Sequence, residues 1–528
     1  MIQPQTQAPE YWGPNFALTD SDIEQIYNHL LEVEHPLTSD EISQVIIAYR
    51  VALEVQHVER LLSGRTIYQP QNSYTVGEQL VFPTLTFAQG EVTSIREGYN
   101  PQYGSFNVIQ VDIGGTVREF ASDFQNETFL NQNNVELVTS VEDVDVETLI
   151  LQYGRHVSDA VTAALSDREE FVRLGREWFV KALLAEVNIG HLHLAEAVLE
   201  MSGGGPLPPD EILPHLDMDP SLDVSVQRFS LNYGLLKDER FDDVAPVGEV
   251  SWFLRRLEPA DVLEIPGRLL FTSIPHDRAL LSPQLLSLER ELDDEWSDLE
   301  PDMGVETANF TVLFPHRWAG TMPLSSQVRS LLPPGHSKRQ RILFVDEFTN
   351  EEIVGWVVKD GRYISGLRDW YEKNGIPIGG FVRVQAGAKP GELILGYDRR
   401  RAQREWVRLA TAVDNRIHFA LMKRSVACGF DDLLIVGTDV TAAIDALWRR
   451  AETNRRTVAS LLAELFGSLA ELTPQNTVHA KTLYSAINML RRVPPGPLFA
   501  ELVRHPAFVS VGDHYWQFDR VRWQESGN

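Results

Sequence analysis

Ten cations, in three short groups, have the type and spacing for phosphate chemistry. Lys338, Arg339 and Arg341 follow Pro333-Pro334-Gly335. Arg399, Arg400, Arg401 and Arg404 stand almost side by side, and Arg491, Arg492 and Arg504 occur near the C-terminus. Guanidinium and ammonium groups at this density neutralise phosphates and make binding fall steeply with salt. These ten are the candidate nucleic-acid contacts. The plainer reading is local: Arg399 and its neighbours pair with Asp398 and Glu405, or cap the last carbonyls of an element. Arg449, Arg450, Arg455 and Arg456 form a further basic group expected on a helix.

Other chemistries find less support. His191 and His193 would face one way on a strand but diverge on a helix, and no Cys or third His completes a metal site. Cys428 has no His nearby in the chain and reads as a core residue. Gly203-Gly204-Gly205 lacks the Lys-Ser/Thr of a phosphate loop. Asp346, Glu347, Glu351 and Glu352, with Lys359, bracket a hairpin turn rather than a metal-dependent nuclease centre. Neither Gly-x-Ser-x-Gly nor His-Glu-x-x-His occurs. The expectation is a protein without catalytic residues, cofactor or metal.

With 528 residues, 43% of them hydrophobic, the chain is long enough for three to five domains. Residues 1–15 are polar, with neither a basic start nor an apolar run, so no secretory signal is expected. No stretch is long enough to span a membrane. One cysteine in the chain fits a reducing compartment, and a cytoplasmic location is expected. The net charge of −28 excludes a surface that coats nucleic acid everywhere. It is unevenly spread: residues 310–460 hold 23 Lys and Arg against 16 Asp and Glu. That leaves an acidic body around a basic region.

Hydrophobic periodicity divides the chain into seven parts of an α+β, multidomain protein. Residues 1–66 read as a helical unit and 67–140 as a small β-barrel, with turns at Gly98–Pro101 and Gly114-Gly115. Residues 141–288 are helical and end in a hairpin, 289–307 form an acidic linker separating two halves, and 308–400 are mostly β. Residues 401–455 read as a helical connector, and 456–528 close the chain with helices and a hairpin.

Two of these parts share a spacing. Leu231, Leu235, Phe241, Val244 and Trp252 recur as Leu498, Leu502, Phe508, Val511 and Trp516, with leucines ten and six residues before the phenylalanine and valine three after. The spacing predicts a helical face, a strand begun by Phe and Val that packs on it, and a returning Trp strand. Pro36-Leu37-Thr38-Ser39-Asp40-Glu41-Ile42 echoes Pro206-Leu207-Pro208-Pro209-Asp210-Glu211-Ile212, each an entry to a short helix.

These units resemble winged helix-turn-helix domains, and the middle and last are similar to the HARE type. The likeness rests on Asp238-Glu239-Arg240-Phe241 with Trp252, and on His505-Pro506-Ala507-Phe508 with Trp516, about 60 residues each. Members of that family occur in chromatin factors, restriction systems and an acidic bacterial RNA polymerase subunit. The barrel resembles SH3-like barrels. The stretch from Phe314-Pro315-His316-Arg317-Trp318 through Trp370-Tyr371-Glu372-Lys373-Asn374-Gly375-Ile376 to Phe381–Val384 resembles the plant transcription-factor DNA-binding pseudobarrel. Gly379-Gly380 stands here in place of that family's usual Gly-Asp. The resemblances imply a DNA-associated, transcription regulator-like protein. It would bind double-stranded DNA on a basic pseudobarrel and C-terminal face and meet protein partners through its acidic N-terminal modules. The alternative is a non-catalytic interaction scaffold or the regulatory component of a defence complex.

Overall fold

Thr19 and Thr38 each accept the amide three residues on, and Asp22 and Glu41 return their carboxylates to the cap amides. These two capping boxes start α1 (Asp20–Val33) and α2 (Ser39–Leu62), with β1 (Leu37–Thr38) between them. The computed structural model describes residues 5–13, 16–85, 87–126, 144–246, 249–301, 304–332, 337–389 and 391–525. It is mixed α and β, 39% helix and 28% strand, with several sheets, one of them nearly closed and barrel-like. The chain divides into two units, 1–186 with 219–230, and 187–218 with 231–528.

In the first unit, β2 (Thr66–Ile67), β3 (Gln79–Phe82), β4 (Ala88–Asn100), β5 (Gly104–Ile113) and β6 (Thr116–Ser122) form one sheet in chain order. Its core is Tyr68, Tyr74, Leu80, Phe82, Val92, Ile109 and Val111. The chain then returns to where it began. α3 (Val146–Ser166) packs on α2, and β7 (Phe171–Leu174) and β8 (Glu177–Val180) extend β1 into a sheet of order β1-β8-β7. Residues 1–66 are therefore not a unit by themselves: the five-stranded sheet is inserted into a helical unit that closes at 180. Period-2 and period-3.6 patterns reveal elements but not this return, which rests on the pairing Leu37↔Trp178 and on the Trp178 indole donating to Ser39 Oγ at 2.9 Å.

The second unit repeats the plan twice. In the middle copy α4 (Ile189–Met201), α5 (Pro209–Ile212) and the end of α6 (Val224–Lys237) lead into the hairpin β9 (Phe241–Asp243) and β10 (Trp252–Leu254). α7 (Ala260–Leu263) and α8 (Pro283–Leu292) follow.

A seven-stranded sheet comes next. It contains β11 (Thr307–Thr311), β12 (Thr321–Pro323), β13 (Arg339–Asp346), β14 (Glu352–Val358), β15 (Tyr363–Ser365), β16 (Phe381–Ala386) and β17 (Glu392–Tyr397). Its order is β11-β16-β17-β13-β14-β15-β12, antiparallel except for the parallel pair β13–β17. α9 (Phe314–Ala319), α10 (Ser326–Leu331) and α11 (Arg368–Lys373) are interspersed.

Beyond it the expected helical connector is mostly β. β18 (Arg399–Val413) and β19 (Arg416–Cys428) form a long hairpin, and β20 (Ile435–Thr438) adds in parallel. Helix resumes only at α12 (Thr441–Thr453). Arg, Ala, Gln and Glu at 399–405 have helical propensity, but Asp414 and Asn415 both take positive φ, the two-residue turn of a tight hairpin. Val407 and Leu409, then Ile417 and Phe419, alternate inward with period two.

The last copy is α13 (Val458–Ala470), β21 (Val478–His479), α14 (Ala480–Ile487), α15 (Pro495–Arg504), β22 (Phe508–Gly512) and β23 (Tyr515–Phe518), in sheet order β21-β23-β22. All three copies put a buried Trp opposite a short first strand: Leu37↔Trp178, Leu207↔Trp252 and Val478↔Trp516. The first copy carries the helix–hairpin spacing as well, in Val161, Leu165, Phe171, Leu174 and Trp178, all buried. Val511 departs from the spacing's expectation, being 47% exposed at the hairpin tip, whereas its counterpart Val244 is buried.

His479 caps α14 through Nδ1, which accepts the Lys481 amide at 3.1 Å. Burial, then His514 and Lys481, push its pKa down to about 4 despite Asp431 and Glu291. A folded value below the unfolded 6.5 means that stability is complete above pH 6.5 and drains as pH falls toward 4. Melting temperature should therefore fall over that window in the wild type and fall less in His479→Asn, which caps without titrating. Equal slopes would contradict this.

Candidate nucleic-acid interface

Arg399, Arg400, Arg401 and Arg404 all lie exposed on the first half of β18. The β18–β19 hairpin has two faces with different fates. Ala410, Ile417 and Phe419, toward its turn, join the apolar core of the C-terminal helices, and Phe419 N–H donates to Ser468 Oγ at 2.8 Å. Val407, Leu409 and Val426 are covered on the other side by Val436, Met422 and Phe430. That anchoring leaves the half away from the turn as a ribbon with one open face.

On the open face the cross-strand pairs are Arg404↔Ser425, Trp406↔Lys423 and Arg408↔Leu421. Trp406 is 62% exposed, and the Lys423 ammonium sits 5.1 Å from its ring centroid. The indole therefore keeps a large apolar ring in solvent beside cations, a surface chemically suited to stacking on a flat ring. Between 399 and 428 the cations are Arg399, Arg400, Arg401, Arg404, Arg408, Arg416, Lys423 and Arg424, against Glu405 and Asp414 alone. Some of this charge is spoken for. Arg400 pairs with Asp398 at 2.6 Å, Arg424 with Asp439, and Arg408 donates to the Asp432 carbonyl. Arg399 lies 5.7 Å over the Phe348 ring.

No family model, curated protein or solved structure matches this chain.

The other six cations do not join this ribbon. Lys338 is exposed and 4.0 Å from Asp360. Arg339 is half-buried and bridges Asp242 at 2.6 Å and Glu258 at 3.2 Å. Burial and then Asp242 raise the Glu258 pKa to about 8, and Arg339 works against that rise, so its guanidinium is committed to this pair of acids. Arg341 is partly buried, which lowers its pKa. These three lie at or just before the start of β13, whereas the register Asp346↔Leu395 puts the start of β18 near its other end, ~23 Å away at strand rise. The residues preceding Ser337 in the expected basic loop, including His336, lie outside the described residues.

Arg491 donates to the Arg456 carbonyl at 2.9 Å, and Arg504 pairs with Glu501 at 2.6 Å. Arg492 is not a surface residue at all. It is buried and bonds Asp294 at 2.6 Å and Glu295 at 2.7 Å. The acidic stretch expected as a linker thus contributes buried partners: Glu289, Asp293, Asp294 and Glu295 are all inside, and Asp293 accepts the Ser326 and Gln327 amides. Spacing alone missed Trp406 and Lys423. Their signal was the alternation Arg404, Trp406, Arg408, legible only once 399–428 is taken as strand.

The other residues singled out in the sequence lie apart from this ribbon. His191 and His193 lie on α4, where His191 caps the helix start and contacts the Asp217 carbonyl at 3.2 Å. Cys428 is buried, and burial pushes its thiol up to about 11. Asp346 accepts from Phe348, Thr349 and the Trp370 indole at the β13–β14 turn. Among the described residues no cluster of His, Cys, Asp and Glu could hold a metal ion, and no helix is long and apolar enough to cross a membrane.

Proposed function

We propose that this is a DNA-associated regulatory protein without catalytic activity that holds nucleic acid along the β18–β19 ribbon. The observation carrying this is solvent-exposed Trp406 beneath Lys423, beside Arg404 and the Arg399–Arg401 run, in a chain of net charge −28. Cations track a phosphate backbone while an indole stacks on a base, the combination used for unpaired strands. In this reading the three helix–hairpin units are winged helices, the middle and last of the HARE type, the five-stranded sheet is SH3-like and the seven-stranded sheet a pseudobarrel. The acidic N-terminal modules then engage protein partners in the cytoplasm. The dispersal of Lys338, Arg339, Arg341, Arg491, Arg492 and Arg504 favours a second reading, a protein-interaction scaffold, over a broad DNA-binding face.

The test is binding of the full chain to labelled single-stranded and double-stranded DNA across a salt series, with Trp406→Ala alongside. Loss of one base stack costs about 1–3 kcal/mol, so the variant should bind single strands roughly 5- to 150-fold more weakly. Its loss on duplex should be smaller. No binding at low salt would leave the scaffold reading, and equal affinity of the variant for single strands would remove the indole from the interface.

A further inference from the structure

A cleft of about 560 Å³ opens between α9, α11, the end of β20 and the start of α12. One wall is aromatic and apolar, with Phe314, Trp318, Ile376, Pro377 and Ile378; Arg317 and Arg368 stand on it with Glu372. Each guanidinium is anchored by one donor, Arg317 Nε to the Ile376 carbonyl and Arg368 Nη2 to the Ala319 carbonyl, both at 3.0 Å. A guanidinium carries five donors, so the anchors fix two planar forks without exhausting them. Arg317 also lies 5.7 Å over the Tyr371 ring.

The electrostatics of the cleft are unfinished. Burial works against the charge on Arg317 and Arg368 repels it, while Glu372 and Tyr371 offset this. Two cations against one carboxylate in a partly dry recess favour a guest that brings negative charge. Trp318 is itself held from behind, because buried Arg268 lies 5.5 Å over its ring, 4.7 Å over Phe314 and 5.1 Å over Trp448, and pairs with Asp445. The aromatic wall is thus preorganised rather than collapsible.

We propose that this cleft binds a small organic anion, a planar ring bearing one phosphate or carboxylate, with Arg317 and Arg368 on the anion and Trp318 and Phe314 against the ring. The site is independent of the nucleic-acid reading and would serve as a ligand-sensing pocket in either functional class.

The experiment is calorimetric titration of the full chain with phenyl phosphate, benzoate and inorganic phosphate. At least one aryl anion should saturate a single site and bind at least about tenfold tighter than inorganic phosphate. Arg368→Gln, at an exposed position, should weaken it about tenfold with an unchanged melting temperature, and Arg317→Lys should weaken it although the charge is kept. Trp406→Ala should leave it unaltered, which separates this site from the ribbon. Absence of saturation by either aryl anion, equal affinity in Arg368→Gln, or inorganic phosphate binding as tightly as the aryl anions would overturn the proposal.

Discussion

Arg492→Met should destabilise the second unit by about 3–5 kcal/mol, the cost of leaving buried charge without its partner. Arg492 has 1% side-chain exposure and faces two carboxylates, Asp294 at 0% and Glu295 at 2%. The Tyr484 hydroxyl also donates to Asp294, and the Asn488 side chain accepts from Arg492 at 2.9 Å. His316 Nε2 lies 3.3 Å from Glu295 Oε1, an electrostatic contact out of hydrogen-bond alignment, and its Nδ1 bonds Thr321 Oγ1 at 2.9 Å. Burial opposes ionisation of both acids. At Asp294 it prevails and raises the pKa, whereas at Glu295 Arg492 and His316 overcome it and hold the value at about 2.

Met fills much of the volume of Arg but returns none of this charge. Chemical denaturation of the variant should show an early transition, and Asp294→Asn with Glu295→Gln added should recover most of the loss. A variant as stable as the wild type would mean that the cluster is not the keystone described here. Failure of the added substitutions to recover stability would point to packing rather than charge.

The second large effect concerns the ribbon. Changing Arg399, Arg400 and Arg401 together to Ala should reduce affinity for single-stranded DNA roughly 25- to 125-fold near 0.1 M salt. It should also flatten the slope of log K against log salt by about 1.4–2.1, the equivalent of two to three phosphates at ~0.7 each. The lower bounds allow for Arg400, which already pairs with Asp398. These side chains are exposed and lie beyond the hairpin's packed half, so melting temperature should stay within a degree or two. Weaker binding with an unchanged slope would place the phosphates elsewhere. A changed slope with unchanged Trp406→Ala affinity would make the ribbon a purely electrostatic track.

Local chemistry was legible wherever a short segment decides its own conformation. The Thr38 cap, the hairpin from Phe508 to Phe518, the short helix at Arg368–Lys373 and the turn after Asp346 all follow from residues within a few positions of one another. So does the Leu-Leu-Phe-Trp spacing of the helix–hairpin units, because one helical face and one strand must bury the same core. The first copy of that spacing is masked in the sequence because Val161 and Leu174 replace the leucine and valine of the others.

What tertiary structure decided is where the charges went. A run of acids between 289 and 302 looks like a solvated linker, since isolated carboxylates stay in water; for Asp294 and Glu295 a partner nearly 200 residues away makes burial tolerable. Arg492 and Arg399 are indistinguishable as residue types, yet one completes an interior and the other lines an open strand. The sheet inserted between α2 and α3, and the strand character of 399–428, likewise depend on pairings across the chain that no local period encodes.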